Sequence, residues 1–374
     1  MTDPAKVLRS IKTASLCPTC YREVQAERQY REDGGIWIAK ECPDHGYFEG
    51  MAEKSAAFWD AILTTNRLKS GTFTHTMYNN ISMVEVTDRC NVQCKHCYHS
   101  PDNKTTDRPA DWIIAKAIGV HTVSVCLMGA EPTMRDDLPE IVREVAKHKR
   151  TTIYTNGVRM RDRSYVNRLR DAGLAACSMS VHHPDYHTDK VWGWVTEGLR
   201  NVIDSGIQLG QVSFTVESPK QVETAIGAIL KLWKIGVRPS DYCIRSPAQI
   251  GVPFEQPQEI YASQVFDWVT AECARREIPS KLIREYGSNP YHVGTYVGVA
   301  NAQVIHWPTA LTVDLAYMNM GPWANFIDGT KGSFVIQALQ RDGMKKGWWQ
   351  GRRLMPEGTA RYTHYDAKAG NAAA

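Results

Sequence analysis

The sequence contains no long hydrophobic run. No segment approaches the roughly 18 uncharged apolar residues that a membrane-spanning helix needs. The opening stretch MTDPAKVLRSIKTASL also lacks an apolar core of signal-peptide length. We therefore expect a cytoplasmic protein that is not an integral membrane protein.

The chain also has little net charge. Its 44 lysines and arginines and its 40 aspartates and glutamates leave a formal charge of +4 over 374 residues. Proteins that bind nucleic acids or membrane surfaces usually concentrate basic charge. We therefore expect no stable nucleic acid partner. A hydrophobic content of 43% is ordinary for a globular protein and is enough for a sizeable core.

Cysteine, by contrast, is plentiful, with ten residues in the chain. Clustered cysteines in a reducing cytosol bind metal more often than they form a disulfide framework. One cluster lies near the N-terminus and another lies within 88–100. The other four cysteines are scattered along the chain. Two roles are open for them, packing in the apolar core and ligation of a second iron–sulfur cluster: Cys126, Cys177, Cys243 and Cys273.

Short strand-like runs alternate with helical patterns through the middle of the chain. The stretches VWGWVTEGLRNVIDSG and VETAIGAILKLW repeat apolar residues at helical spacing. Gly206 and Gly236 stand where these helices are expected to end. The strand-like runs are 81–87, 122–129, 151–157, 175–181, 211–216 and 241–246.

Six strand–helix units in series predict a parallel sheet, because the crossovers between them are right-handed. We expect the α/β class and a partial (β/α)6 barrel of the TIM type, with its active site at the C-terminal ends of the strands. The predicted regions are a zinc-ribbon-like metal module with a linker (1–75), the barrel (76–280) and an α+β extension that covers the barrel mouth (281–374).

Three cysteines are crowded into the segment DRCNVQCKHCYHS, directly after the first predicted strand. The C-x3-C-x2-C spacing allows Cys90, Cys94 and Cys97 to ligate three irons of a 4Fe–4S cluster. The fourth iron then has no protein ligand and is open to a substrate. The alternative is a zinc knuckle that uses His96 or His99 as its fourth ligand.

The order of the motifs resembles the radical S-adenosylmethionine (SAM) superfamily. CNVQCKHCY follows the first strand, GAEPT the second and TNG the third, and the likeness spans about residues 80–255. The resemblance implies that the unique iron of the cluster chelates the amino and carboxylate groups of SAM. It also implies reductive cleavage of SAM to a 5'-deoxyadenosyl radical, with an electron donor such as flavodoxin or ferredoxin.

The resemblance assigns the segment after the second strand to the amino end of SAM. Ala130 replaces the second glycine usual in the family and would be strained if the position required a positive φ. Further candidates for contacts with SAM lie on the same rim or close to it. The full set of candidate SAM-binding residues is Tyr98, Gly129, Ala130, Glu131, Pro132, Asn156, Ser180 and Lys190.

Simpler roles are open for three of these residues. Glu131 is also placed to interact with the dipole of the helix that follows it. Asn156 and Gly157 form a dipeptide that is common in turns. Lys190 lies at a predicted helix start, where a lysine is usually a solvated surface charge.

The N-terminal cysteines form two knuckles, CPTC and CPDHG, on either side of a predicted hairpin strand, GGIWIAK. Cys17, Cys20, Cys42 and His45 would complete a Cys3His site, which favours zinc, with mononuclear iron as the alternative. The thiols could otherwise pack as small hydrophobic groups. This module resembles the N-terminal metal module of radical SAM enzymes such as tetraether lipid synthases and folate-using methylases.

Three classes of function are consistent with the sequence. The first is radical chemistry on a small-molecule, cofactor or lipid substrate that leads to carbon–carbon bond formation or methylation. The second is modification of a peptide or RNA, which is disfavoured because no cysteine follows Cys273 to build an auxiliary cluster and because the net charge is modest. The third is a non-catalytic, metal-stabilised binding protein.

Overall fold

The structure is a computed structural model. It describes residues 5–20, 22–61, 81–94, 97, 101–120, 122–181, 189–239, 241–247, 260–283, 292–297, 300–305 and 325–326. Most of the predicted extension 281–374 lies outside the described residues.

The N-terminal part is a four-stranded antiparallel sheet in which each strand pairs with the next one in the chain. The turns that join the first to the second strand and the third to the fourth contain the two cysteine knuckles. The predicted hairpin strand is confirmed as the third strand. The strands are β1 (Val7–Leu16), β2 (Glu23–Arg31), β3 (Ile36–Cys42) and β4 (Gly46–Glu53).

A second sheet contains the six predicted parallel strands, and they lie side by side in chain order. The predicted partial barrel is therefore confirmed, and each strand boundary agrees with its prediction to within a few residues. The strands are β5 (Ile81–Thr87), β6 (Ser124–Gly129), β7 (Arg150–Thr155), β8 (Ala176–Ser180), β9 (Gln208–Thr215) and β10 (Asp241–Arg245).

Helices alternate with these strands. The two helices predicted from periodicity are α4 and α5, and Gly206 and Gly236 follow them with φ angles of 82° and 88°, as a helix end requires. None of the described helices has both the length and the apolar content needed to cross a membrane. The helices are α1 (Ala110–Gly119), α2 (Leu138–Ala146), α3 (Arg163–Asp171), α4 (Asp189–Ser205), α5 (Pro219–Lys234) and α6 (Ala262–Arg275).

The chain after α6 extends the sheet at both edges. One added strand is parallel to β10 and another is parallel to β5, while two more continue the β10 edge in antiparallel fashion. Within the described residues the two outermost strands do not pair with each other, so the barrel is open. The added strands are β11 (Ser280–Ile283), β12 (His292–Val297), β13 (Ala300–Ile305) and β14 (Asn325–Phe326).

The two faces of the parallel sheet differ in chemistry. Alternate residues such as Ile153 and Phe214 join one large apolar core with the helices. Strand residues at the intervening positions lie on the opposite face, which we call the inner face, and many of them are polar. All four scattered cysteines are buried, which agrees with the core alternative, and Cys177 belongs to the helix-facing core.

Gly129 ends β6 where two backbones come very close. A Cβ atom at this position would lie 2.3 Å from the Thr87 carbonyl oxygen at the end of β5. The absence of a side chain thus allows the two strand ends to meet.

We predict that Gly129→Ala lowers the free energy of unfolding by about 1–3 kcal/mol, because backbone atoms must move to accept the methyl group. Urea unfolding would measure the change. Gly119→Ala is the control, since a Cβ there meets nothing within 4 Å. A Gly129→Ala variant as stable as the wild type would contradict the close approach.

The N-terminal sheet is joined to the barrel through a buried carboxylate. Glu53 at the end of β4 is 2% exposed and accepts hydrogen bonds from the backbone N–H and the hydroxyl of Ser263, in the first turn of α6. Nearby, the rings of Phe58 and Phe266 lie 5.6 Å apart. Burial raises the pKa of Glu53 above its usual value, although its hydrogen bonds oppose this shift.

The raised pKa predicts a pH effect on stability. Above pH 4.5, the usual glutamate pKa, the unfolded chain loses its proton first and the folded chain must ionise a buried group. The wild type should therefore lose stability relative to Glu53→Gln as the pH rises from about 4.5 through the raised pKa of the folded state.

Glu49→Gln is a control of opposite sign on the same strand. A hydrogen bond from Arg31 lowers the pKa of Glu49, so the wild type should gain stability over Glu49→Gln as the pH rises. Urea unfolding at several pH values would measure both differences. A pH-independent difference for Glu53→Gln would contradict the prediction.

Candidate active site and N-terminal metal centre

The C-terminal ends of β5, β6 and β7 lie at one edge of the sheet, because the strands are parallel and adjacent. The cysteine motif follows β5, the segment 129–133 follows β6, and Asn156 follows β7. The three motifs singled out in the sequence thus meet at one rim.

The cysteine loop is held by several hydrogen bonds. The Cys90 backbone N–H donates to Asn103 Oδ1 at 2.9 Å, and the Cys97 N–H donates to the Cys94 carbonyl at 3.2 Å. Burial raises the pKa of Cys90 and of Cys94 to about 12, and the neighbouring cysteine thiols contribute to both shifts. The loop therefore places partly buried thiols beside one another.

The segment after β6 is tied by its backbone to the start of the cysteine loop. The Ala130 N–H donates to the Thr87 carbonyl at 3.0 Å, and the Glu131 N–H donates to the Arg89 carbonyl at 2.9 Å. Ala130 does not adopt a positive φ, since Glu277 is the one non-glycine among the described residues that does. The alanine is therefore accommodated here without the strain considered above.

Glu131 is fully buried and accepts hydrogen bonds from its own loop and from the end of β7 and the loop that follows it. Its Oε1 atom accepts from the Thr133 N–H at 3.0 Å, the Thr133 hydroxyl at 2.5 Å and the Thr155 hydroxyl at 2.6 Å. Its Oε2 atom accepts from the Asn156 N–H at 2.6 Å. Burial raises the pKa of Glu131, and these hydrogen bonds oppose the shift. The carboxylate therefore fixes the loop after β7 against the loop after β6.

Asn156 combines a turn with a contact to the cysteine loop. Its Oδ1 atom accepts from the Val158 N–H at 3.0 Å, and Gly157 adopts a φ of 80°, as expected for turn residues. Its Nδ2 atom lies 2.8 Å from Asn91 Oδ1 and 3.7 Å from the Cys90 sulfur. Asn156 is thus both a turn residue and a neighbour of the cysteine motif.

The other candidate residues make fewer described contacts at the rim, or none. Ser180 ends β8, and its hydroxyl lies 3.4 Å from that of Ser213 on the inner face. Lys190 is in the first turn of α4, and its side chain lies outside the described residues, as does Tyr98. The structure therefore brings Asn156 into contact with both Glu131 and Cys90.

Two arginines of the rim were missed by the sequence analysis. Arg89 forms an ion pair with Asp107 and donates to the Met134 carbonyl at 3.2 Å. Arg135 is 3% exposed and donates to the Val86 and Arg108 carbonyls. The only signal in the sequence was that Arg89 lies next to the cysteine motif and Arg135 close to the segment 129–133. Most of their hydrogen-bond partners are distant in the sequence, so these contacts could not be predicted.

The sulfur positions distinguish a cluster from a single ion. A zinc ion with Zn–S bonds of about 2.3 Å holds its sulfurs about 3.8 Å apart. Among the described residues, only the N-terminal set has three or more ligand atoms within 4.8 Å of one another. At least one pair among the Cys90, Cys94 and Cys97 sulfurs is therefore further apart, which fits a larger four-iron cluster better than a zinc ion.

The N-terminal group, by contrast, has the dimensions of a single-ion site. The Cys20 and Cys42 sulfurs are 3.9 Å apart, and His45 Nδ1 lies 3.4 Å from the Cys42 sulfur and 3.7 Å from the Cys17 sulfur. Tetrahedral zinc with bonds of about 2.3 Å to sulfur and about 2.0 Å to nitrogen requires edges of about 3.5–3.8 Å. The four predicted ligands therefore fit zinc.

The surroundings of this group favour thiolates. Burial opposes the ionisation of Cys42, but hydrogen bonds from His45 and Cys17 outweigh it and lower the pKa of Cys42 to about 7. The Arg22 side chain donates from Nε to the Cys20 sulfur at 3.4 Å. A metal needs deprotonated cysteine ligands, so these contacts support metal binding at neutral pH.

Comparisons with known proteins agree with both sites. Residues 84–228 match the sequence model of the radical SAM superfamily, and residues 11–53 match the model of the HMPTM N-terminal zinc ribbon domain. The first match contains the cysteine motif, Glu131 and Asn156, and the second contains all four N-terminal ligands.

Several curated proteins resemble part of the chain. A 7,8-dihydro-6-hydroxymethylpterin dimethyltransferase of Methanocaldococcus jannaschii is 30% identical over 44% of this chain and 37% of its own length. An Fe-coproporphyrin III synthase of Methanosarcina barkeri is 31% identical over 39% of each chain. A probable GTP 3',8-cyclase of Methanococcus aeolicus is 27% identical over 36% of this chain and 50% of its own. The chain thus spans half or less of the length of these relatives.

The zinc site predicts a metal analysis. Cys42→Ser and His45→Ala each remove one of four ligands, so zinc should fall from about one ion per chain to a small fraction of that. Elemental analysis would measure zinc and iron separately, and iron at the other site should be retained. Cys273→Ala is the control, because this buried cysteine lies in α6. Full zinc in both ligand variants would contradict the assignment.

The family match and the geometry agree on the nature of the two metal centres. A radical SAM domain implies a 4Fe–4S cluster and SAM as cofactors, and the zinc ribbon with its four ligands supports a zinc site. The relatives carry the names of enzymes, so the non-catalytic alternative is not supported. Residues 84–228 therefore form a radical SAM domain, and residues 11–53 form an N-terminal zinc ribbon domain.

Proposed function

We propose that the protein cleaves SAM reductively and uses the resulting radical on a small-molecule, cofactor or lipid substrate. Cys90, Cys94 and Cys97 would hold three irons of the 4Fe–4S cluster. The observation that carries this proposal is the contact of Asn156 with both Glu131 and Cys90 at one rim of the sheet. When bound, the reduced cluster supplies the electron that breaks the carbon–sulfur bond of SAM, and the 5'-deoxyadenosyl radical removes hydrogen from an unactivated carbon.

The chain itself contributes geometry and electrostatics. Glu131 is a buried negative group that would attract the ammonium group of SAM, and its Oε2 atom accepts a single bond from the described residues. Gly129 and Ala130 allow close approach to the backbone, and Pro132 starts the short 3-10 helix that follows. Asn156 donates toward the Cys90 sulfur and would stabilise it as a thiolate.

The remaining SAM contacts are proposed for residues farther along the rim. Ser180 would contact the carboxylate or the ribose, and Lys190 would supply positive charge near the carboxylate. Tyr98 would border the adenine. The extension 281–374 is proposed to cover the barrel mouth, where it would exclude water and oxygen.

We further propose that the substrate is a small molecule and that methylation or carbon–carbon bond formation is the outcome. The three relatives described above are named for a pterin, a porphyrin and a nucleotide, and one of them is a methyltransferase. These names support a small molecule over a peptide or an RNA. An electron donor of the flavodoxin or ferredoxin type would reduce the cluster.

The proposal predicts the formation of 5'-deoxyadenosine. Protein reconstituted anaerobically with iron and sulfide should release it from SAM when dithionite is added. Cys94→Ala should lower this rate by about 100-fold or more, because loss of a ligand disrupts the cluster. Chromatography of the quenched reaction would measure the product.

Cys177→Ala is the matched control, since Cys177 is buried in the apolar core. It should retain most of the iron and most of the 5'-deoxyadenosine formation. Equal activity in Cys94→Ala and wild type, or no product from a wild type that contains iron and sulfide, would contradict the proposed function.

A further inference from the structure

Arg245 places a guanidinium group on the inner face of the barrel. It is the last residue of β10, and its neighbour Ile244 faces the helices and belongs to the apolar core. The Arg245 side chain is partly exposed, but its Nε atom is buried and has no hydrogen-bond partner.

The described contacts of Arg245 leave part of its hydrogen-bonding capacity unused. Its Nη2 atom donates to the Tyr154 hydroxyl at 2.6 Å and to Gln211 Oε1 at 2.8 Å. Burial lowers the pKa of Arg245, but the neighbouring Cys243 and Tyr154 side chains outweigh this effect and raise it. Among the described residues, no carboxylate lies within ion-pair distance of Arg245.

Neighbouring residues hold the guanidinium in place. The Tyr154 hydroxyl donates to Gln211 Oε1 at 2.7 Å, and the Gln211 N–H donates to the Ser178 hydroxyl at 3.0 Å. Three strands, β7, β8 and β9, thus fix the two groups that accept from Arg245. The side chain is positioned before any ligand arrives, which lowers the entropy cost of binding.

A row of hydroxyl groups connects this arginine with the rim. The Tyr154 hydroxyl lies 3.3 Å from that of Ser213, which lies 3.4 Å from the hydroxyl of Ser180 at the end of β8. Ser180 is a proposed SAM contact. Arg245 therefore faces the same interior as the proposed reaction site and is linked to it by polar groups.

The energetic argument points to an anionic ligand. The Nε–H group of Arg245 has no hydrogen-bond partner, and none of the described carboxylates forms an ion pair with the guanidinium. Arginine presents planar, paired donors that match the oxygens of a carboxylate or a phosphate. An oxyanion would satisfy the open donors and balance the charge.

We propose that Arg245 binds a carboxylate or phosphate group of the substrate inside the barrel, with Tyr154 and Gln211 as positioning residues. This inference rests on the proposed function and deepens it, because it defines the substrate as an anionic small molecule. The anionic group would anchor one end of the substrate below the rim and leave its other end near SAM.

Anion binding can be measured without turnover. Reconstituted full-length protein would be titrated calorimetrically with pyrophosphate and with glutarate, each in the absence of SAM and in the presence of saturating SAM. We expect the wild type to bind at least one of these probes under both conditions. Arg245→Gln should weaken that binding by about tenfold or more, and Arg245→Lys should weaken it less.

Arg150→Gln is the matched control. Arg150 also donates from Nη2 to a glutamine of β9, Gln208 Oε1, at 2.8 Å, but it is exposed at the opposite end of the strands. Its substitution should leave probe binding unchanged. Urea unfolding of each variant would establish that it is folded, and Arg245→Lys retains the charge should Arg245→Gln not fold.

Each other outcome overturns the inference. Wild type that binds neither probe has no anion site, and binding that survives in Arg245→Gln lies elsewhere. An equal loss in Arg150→Gln indicates general charge attraction. If Arg245→Gln weakens SAM binding, or if SAM displaces the probe, the anion is the SAM carboxylate and not a substrate group. A failure of the proposed function is distinct, since it would show as a wild type that forms no 5'-deoxyadenosine.

Discussion

A single buried carboxylate joins the loops that form the candidate active site. Glu131 accepts hydrogen bonds from its own loop and from Thr155 and Asn156 in the loop after β7. An unpaired carboxylate at this depth would be costly, so the donors and the acceptor hold one another in place. Because Asn156 in turn approaches the Cys90 sulfur, the position of the cysteine loop depends on the same carboxylate. Its role in holding the loops together is thus compatible with a role in binding SAM, since its second oxygen has capacity left.

Because side chains alternate along the strands, the residues of the apolar core lie on one face of the sheet and many polar residues lie on the other. Residues that face the helices form one continuous apolar core, whereas the inner face carries hydroxyls, an amide and a guanidinium. A sheet that closed into a full barrel would have to fill this interior, but the open sheet leaves room for polar groups. The same parallel order that packs the helices on one side therefore also leaves the other side available for a polar substrate.

The N-terminal zinc ribbon stabilises a separate part of the molecule. Its four ligands come from two turns of a small antiparallel sheet, and a small domain buries a smaller fraction of its surface on folding than a large one. Metal binding can provide the missing folding energy. Glu53 then attaches this sheet to the start of α6, so the ribbon is held against the barrel. Its contacts described here are with the outer helix and not with the rim, which is consistent with a structural role.

The strand and helix order, the partial barrel and the two metal motifs could be predicted from the amino-acid sequence, because each depends on spacing over a few residues. A C-x3-C-x2-C motif or an apolar repeat can be recognised without knowing what lies opposite it. The contacts between atoms on different strands of the sheet are known only from the folded structure. Thr155 and Asn156, which bind Glu131, and Tyr154 and Gln211, which bind Arg245, lie on or directly after other strands. They are between 24 and 91 positions away in the sequence, so no local pattern could identify them. Strand register and crossover packing determine those distances, and these are set by the fold as a whole.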